Sequence, residues 1–264
     1  MTKVRFTVAY DGSEYCGWQR QNHYSKLSVQ QVLEEALEKL FEEKIGLSAS
    51  GRTDSGVHAL NQVCHFSTER SPEKLMKWDF CWGMARHLPP TIVVKKAWIA
   101  PEDFHATLSA THKTYRYWVY NQHRASPFLM RYADWVRHPM NIEVLQACCD
   151  FIKGNQDFAS FRSIGSDVQH TVREIFDAKW SWRKPNLLQF EVTGSGFLKQ
   201  MVRNLVGTMM LIEKDGLPPE KMKEILLLKD RKFAGPPAPA CGLHMYRVYY
   251  PQDLDNRCIA LLKP

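Results

Sequence analysis

Between its first residues and residue 43 this chain changes hydrophobic period, and few folds accept that change. Val4, Phe6, Val8 and Tyr10 alternate with Lys3, Arg5, Thr7 and Ala9, the period-two pattern of a strand with one apolar face. Asp11-Gly12 marks a turn, and Ser28 followed by Gln31 has the form of a capping box. From Val29 to Glu43 the apolar residues Val29, Val32, Leu33, Ala36, Leu37, Leu40 and Phe41 recur at helical spacing, so one stripe of that helix must lie on a sheet. Strands at Gln62–Phe66 and Ile92–Ile99 and a helix at Pro72–Arg86, opened by Ser71, complete a strand-helix-strand-helix-strand order. Short connections between such elements predict an α+β layer of the split βαβ or ferredoxin-like kind.

A second unit of the same class is expected downstream. Tyr115–Tyr120 is a strand-forming run, Ile142–Ile152 an amphipathic helix, Arg173–Trp182 and Leu187–Thr193 strands, and Leu198–Ile212 and Pro218–Leu228 helices. Gly235-Pro236-Pro237-Ala238-Pro239 must be a loop, because proline lacks the backbone donor that helix and sheet require. Leu243–Tyr250 reads as a closing strand. The expected division is residues 1–108 and 109–264, and no residue-level repeat relates the halves.

The chain has 264 residues, 44% hydrophobic and 24% charged, which places it among ordinary globular proteins able to bury a core without staples. Its 7 Cys, at 16, 64, 81, 148, 149, 241 and 258, lack the paired spacing of a zinc or redox motif. Cys64 and His65 are neighbours on a strand and point to opposite faces, so no metal site is expected. The first strand has no signal-peptide core, and no run of about 18 apolar residues occurs; a cytoplasmic, non-membrane protein is expected. The net charge of +7 favours a polyanionic partner such as nucleic acid. Without a phosphate loop, dinucleotide fingerprint or His-Glu zinc helix, any chemistry rests on side chains alone, with no cofactor.

Gly51-Arg52-Thr53-Asp54-Ser55-Gly56-Val57-His58-Ala59 is the densest constellation: two glycines bracket an arginine, a carboxylate and hydroxyls between two elements. A carboxylate presented there can act as nucleophile or base, with Arg52 holding it ionised, or it can cap a turn. Arg203, set among Met201, Val202, Leu205 and Val206 in a helical segment, either faces an anion or snorkels at the edge of the core. In Lys113-Thr114-Tyr115-Arg116-Tyr117-Trp118-Val119-Tyr120, alternation puts Tyr115, Tyr117 and Val119 on one face, as core or as a platform for unpaired bases. His58 and His105 contact RNA or serve as hydrogen-bonded structural histidines. Phe158-Ala159-Ser160-Phe161-Arg162 and Tyr10-Asp11-Gly12 through Gly17-Trp18-Gln19-Arg20 are further aromatic and basic clusters.

Gly51-Arg52-Thr53-Asp54 through Val57-His58-Ala59, then Gln62-Val63 and His65-Phe66, resembles the signature of the TruA-like tRNA pseudouridine synthases. The likeness extends to Tyr10-Asp11-Gly12, Gly17-Trp18-Gln19, Asp103-Phe104-His105-Ala106, Tyr115-Arg116-Tyr117, Asp157-Phe158, Ser160-Phe161-Arg162, Met201-Val202-Arg203-Asn204 and Gly242-Leu243, across nearly the whole chain. It departs at Ser55, Asn61, Lys113 and Gln156, where the family more often has Ala, Gly, Arg and His. Met84-Ala85-Arg86-His87-Leu88-Pro89 lacks the asparagines often found there. The resemblance implies an α+β fold of two ferredoxin-like or RRM-like subdomains whose antiparallel sheets join across a central basic cleft. It implies a homodimer and conversion of uridine to pseudouridine at positions 38, 39 and 40 of the tRNA anticodon arm, with the base flipped out. It further implies Asp54 as catalytic carboxylate, Tyr115 as active-site tyrosine, Arg203 as the arginine paired with the aspartate, and Arg52 as a substrate-positioning arginine. His58, His105 and Arg162 are expected in substrate binding, and Leu243 would line the uracil pocket. The alternative is a non-catalytic RNA-binding protein or chaperone that uses the same basic surface.

Overall fold

The computed structural model describes residues 1–21, 25–163, 165 and 170–261. In chain order the elements are β1 (Thr2–Tyr10), α1 (Val29–Phe41), β2 (Ser48–Ala49), β3 (His58–Thr68), α2 (Pro72–Leu75), α3 (Phe80–Ala85), β4 (Ile92–Ala100), β5 (His112–Asn121), β6 (Asp134–Val136), α4 (Ile142–Asp150) and β7 (Gly154–Asp157). They continue with β8 (Val172–Lys184), β9 (Leu187–Gly194), α5 (Met201–Lys214), α6 (Lys221–Leu228), β10 (Leu243–Tyr249), α7 (Gln252–Asn256) and β11 (Ile259–Ala260). This is a mixed α+β chain whose sheet pairing is mostly antiparallel, as the periodicity predicts.

Two compact units form, residues 1–111 with 245–264, and residues 112–244. The division expected from sequence, 1–108 and 109–264, differs in its last stretch, which returns to the first unit. The reason is local pairing: β11 lies antiparallel to β4, with Ile259 opposite Ile99, and the Tyr250 hydroxyl donates to the Ala106 carbonyl at 2.7 Å.

In the first unit β1 is flanked by β3 and β4, both antiparallel to it, and β2 pairs with β3. The α1 stripe Val29, Leu33, Ala36, Leu37 and Phe41 is buried. Phe41 packs edge-on to Phe66 at 5.2 Å, and Phe6 lies 5.6 Å from Phe80, joining strand and helix residues in one aromatic core. Ser28 Oγ accepts from Gln31 N at 3.1 Å, whereas the Gln31 side chain turns to Glu35, so only half of the expected capping box forms. The helix expected at 72–86 is two short ones, because the Asp79 side chain accepts from Trp82 N and starts a new N-terminus.

In the second unit β5 pairs antiparallel with β9, β9 with β8 and β8 with β7, while β6 runs parallel to β5. Tyr115, Tyr117 and Val119 are buried while Arg116, Trp118 and Tyr120 are partly exposed, which is the alternation read from sequence. Trp180 lies 5.1 Å from Phe190 and donates its indole N–H to Met209 of α5, fixing that helix on the sheet. α5 starts at Met201 rather than Leu198, after Gln200 adopts a left-handed conformation.

Candidate active site

Asp54 lies on a stretch that leaves the first sheet after β2 and rejoins it at His58, where β3 begins. The departure is built rung by rung. Ala49 pairs with Cys64, Ser50 N donates to Val63 O at 2.8 Å, and the next acceptor, Gly51 O, receives the Gln62 side-chain amide at 2.7 Å. A side chain thus supplies the rung where the backbone ladder stops. Gln62 is fully buried, and its Oε1 accepts the Ser50 hydroxyl.

Residues 10–18 close on the loop from the other side. A Cβ on Gly12 would stand 1.9 Å from Val57 O, and one on Gly17 2.8 Å from Thr53 O, so both positions require glycine for backbone to meet backbone. Trp18 N donates to Thr53 O at 3.0 Å, Tyr10 Oη and Thr53 Oγ1 share a hydrogen bond of 2.7 Å, and Ser55 Oγ donates to Tyr15 O at 3.0 Å. Val57 N closes a turn on Asp54 O at 3.2 Å. The Tyr-Asp-Gly and Gly-Trp pairs noted in the sequence are therefore the walls of the Asp54 loop.

The consequence is a division of the loop by exposure: Thr53 and Val57 are buried, Asp54 is half-buried, and Arg52 and Ser55 are exposed. A carboxylate on a braced loop with part of its surface open is placed to meet a ligand. Arg52 stands two residues before Asp54 on the exposed part of the same loop.

The two histidines are tied to their own loops. His58 is 2% exposed, and its Nδ1 accepts from Gly12 N at 3.1 Å, with Asp11 Oδ1 3.3 Å away. That ring latches the 10–12 turn to the end of the Asp54 loop, and its Nδ1 faces protein. His105 Nδ1 accepts from Thr107 N and Leu108 N, each at 3.2 Å, and its ring meets His65 edge-on at 4.7 Å. His65 accepts from Ala106 N at 3.2 Å; burial, then the charges of His105 and Lys3, lower its pKa to about 4.

In the second unit Tyr115 is 8% exposed on β5 and packs edge-to-face on Phe197 at 5.0 Å. Arg203, in the first turn of α5, is half-buried between buried neighbours. Its Nε donates to Ala238 O at 2.8 Å, and Ala238 N returns a bond to Arg203 O at 3.0 Å. The proline-rich loop can reach α5 because position 207 is glycine: a Cβ there would stand 1.9 Å from Pro236 O. Asn204, fully buried, donates to Phe161 O at 2.8 Å and to Ser163 Oγ at 3.2 Å. It therefore sets the turn carrying Arg162 beside the turn of α5 that carries Arg203.

Leu243 is buried at the start of β10. Its neighbour Gly242 lies where a Cβ would be 2.5 Å from Tyr117 Cζ. Tyr117 Oη is 2.9 Å from Pro239 O and 3.1 Å from Asp134 Oδ2. Burial, then the Asp134 charge, pushes the phenol pKa well above its ordinary value, so Tyr117 is a neutral donor. Burial in turn raises the pKa of Asp134, against the lowering effect of that bond.

The structure thus groups Arg52, Asp54 and His58 in the first unit. In the second it groups Arg162 with Arg203, and the Gly242-Leu243 pair with the strand that carries Tyr115. Sequence reasoning saw Gln62, Tyr117 and Asn204 only as parts of motifs, with no bracing role, and it gave none to Gly207. The available signal was a buried amide or glycine inside an otherwise apolar element.

The family described as tRNA pseudouridine synthase matches residues 7–107 and 149–251. The tRNA pseudouridine synthase A of Bdellovibrio bacteriovorus is 65% identical over 98% of this chain and 99% of its own length. That of Syntrophotalea carbinolica is 41% identical over 96% of this chain and 98% of its own. Among solved structures, a Cbf5-Nop10-Gar1 complex is similar at a TM-score of 0.39 and 14% identity, covering 92% of this chain and 49% of that one. With two-part coverage by the family and full-length relatives at this identity, the chain belongs to the tRNA pseudouridine synthases.

Proposed function

We propose that this chain isomerises uridine to pseudouridine in tRNA through Asp54, and the observation that carries the assignment is the half-open carboxylate on a loop braced from both sides. In that reaction the N1–C1′ glycosidic bond breaks, the uracil turns over, a C5–C1′ bond forms, C5 gives up its proton and N1 ends protonated. Atoms balance without oxidant or cofactor. A base inside a helix is out of reach, so the nucleotide is flipped before the chemistry. Asp54 serves as nucleophile at C1′ or C6, or as the charge that stabilises the separated base.

The remaining roles belong to the same reading. Tyr115 supports the flipped base and assists loss of the C5 proton, Arg203 supports the catalytic carboxylate, and Arg52 and Arg162 meet phosphate. Leu243 lines the uracil pocket. His105 and His58 act through the loops they hold. With the family reading also go two ferredoxin-like subdomains, a basic RNA-binding surface, a homodimer, the anticodon stem-loop as the bound part of tRNA, and positions 38, 39 and 40 as its targets. No helix among the described residues is long and apolar enough to cross a membrane, which is compatible with work on tRNA in the cytoplasm.

Tritium release from tRNA carrying C5-tritiated uridine tests the assignment. Wild type releases label and leaves the strand intact with no free uracil. Asp54→Asn, nearly isosteric, reduces release to background while tRNA affinity stays within about twofold, since only a group used in the transition state is lost. Binding without release in wild type would make the chain an RNA-binding protein, and free uracil or cut strands would make it a nucleosidase or nuclease.

A further inference from the structure

Gln62, inside β3, stands opposite the point where the chain after β2 leaves the sheet and becomes the Asp54 loop. The rung sequence Ala49–Cys64, Ser50–Val63 and Gly51 O–Gln62 Nε2 replaces backbone by side chain at its last step. A carbonyl accepts and cannot donate, so the amide nitrogen must be the atom facing Gly51 O, which fixes the amide orientation and leaves Oε1 for the Ser50 hydroxyl. Both Gln62 and Ser50 are 0% exposed, so water cannot replace either bond. Gly51 lies three residues before Asp54, and Gly56 and Gly17 provide positive φ angles of 78° and 109° around the loop. A backbone this dependent on outside braces takes its direction at the first one.

We propose that Gln62 is a positioning residue for the reaction: through Gly51 O it sets the direction in which the loop presents the Asp54 carboxylate. The inference rests on the function proposed above. Its content goes further, because it assigns part of the rate to a buried amide that holds a backbone carbonyl and carries no charge. A carboxylate that swings by about 1 Å from its reacting geometry loses on the order of a hundredfold in rate, whereas the surface that binds tRNA is not altered by the change.

The test compares wild type, Asp54→Asn, Gln62→Met and Gln62→Glu for single-turnover tritium release at saturating tRNA and for tRNA affinity. All are measured below the onset of melting of each protein. Gln62→Met keeps the side-chain length and removes the donor, while Gln62→Glu keeps the shape and sets an acceptor against Gly51 O. The expected result is a loss of about ten- to a hundredfold in the rate at saturation, larger for Glu than for Met, with tRNA affinity within about twofold. A merely structural role would lower the folded fraction and leave the rate per folded molecule unchanged. The inference is overturned if folded Gln62→Met turns over at the wild-type rate, or if rate and affinity fall together. Should neither Gln62 variant fold, Ser50→Ala carries the test: freeing Oε1 lowers the rate about threefold, and an unchanged rate rejects the inference. Wild type that releases no tritium at all would instead reject the parent reading, so the two failures are distinguishable.

Discussion

Two irregular stretches, one in each unit, are fixed by opposite means. The Asp54 loop contains no proline between Gly51 and His58 and is held from outside: Gln62 at its start, the backbones of residues 12 and 17 along its side, and His58 at its end. The loop at 235–239 carries three prolines, whose rings restrict φ before any contact is made. Its anchors are the opening at Gly207, the Thr208 hydroxyl accepting from Gly235 N at 2.9 Å, the reciprocal bonds of Arg203 and Ala238, and the Tyr117 hydroxyl on Pro239 O. The stretch that carries the carboxylate is thus the one whose shape depends on its surroundings. The stretch that supports a cation brings its own rigidity.

That contrast breaks most readily at Gly12. Gly12→Ala places a methyl group on Val57 O, which must move the Asp54 loop, and turnover should fall by about a hundredfold or more; tritium release at saturating tRNA measures it. If the variant is as active as wild type, the loop is not held from that side. Gly207→Ala pushes the proline loop off α5. Because that loop keeps much of its own shape, the effect should appear mainly as a stability loss of about 2 kcal/mol in urea unfolding, with a smaller loss of turnover than for Gly12→Ala. Reversal of that order would mean that the proline loop also depends on its surroundings.

Tyr117→Phe sharpens the comparison within the second unit. It removes a buried hydroxyl from Pro239 O and Asp134, leaves the ring against Gly242, and should cost about 1–2 kcal/mol, again by urea unfolding. The smallest effect concerns pH. His65 has a folded pKa of about 4, lowered by burial and then by His105 and Lys3 from the ordinary histidine value of 6.5. Below 6.5 the unfolded state takes up the proton and the folded state does not, so stability is present above that pH and is lost as pH falls toward about 4. His65→Gln should flatten this limb of the stability profile; an unchanged slope between pH 6 and 4 would remove His65 as its source.

Much of the fold was legible because hydrophobic period is a local property. The β1 alternation, the α1 stripe and the buried Tyr115, Tyr117 and Val119 all follow from spacing along one element. The break between α2 and α3 was less visible, since it depends on Asp79 choosing to cap Trp82 N rather than continue a helix. The Asp54 motif stood out by composition. Its cradle did not, because residues 10–18 and 51–57 are separated in sequence and their glycines gain meaning only when the backbones meet.

By itself the sequence determined the α+β class, the principal elements and the family, and it singled out the Asp54 motif, because these depend on residue type and short-range spacing. Only the tertiary structure decided that the final residues return to the first unit, that His58 Nδ1 faces protein, and that Gln62 and Asn204 brace the loops bearing Asp54 and Arg162. Each of those outcomes is a pairing of polar atoms or backbones from distant parts of the chain, and such pairings are chosen by burial, where every donor and acceptor left without water must find a partner in the fold.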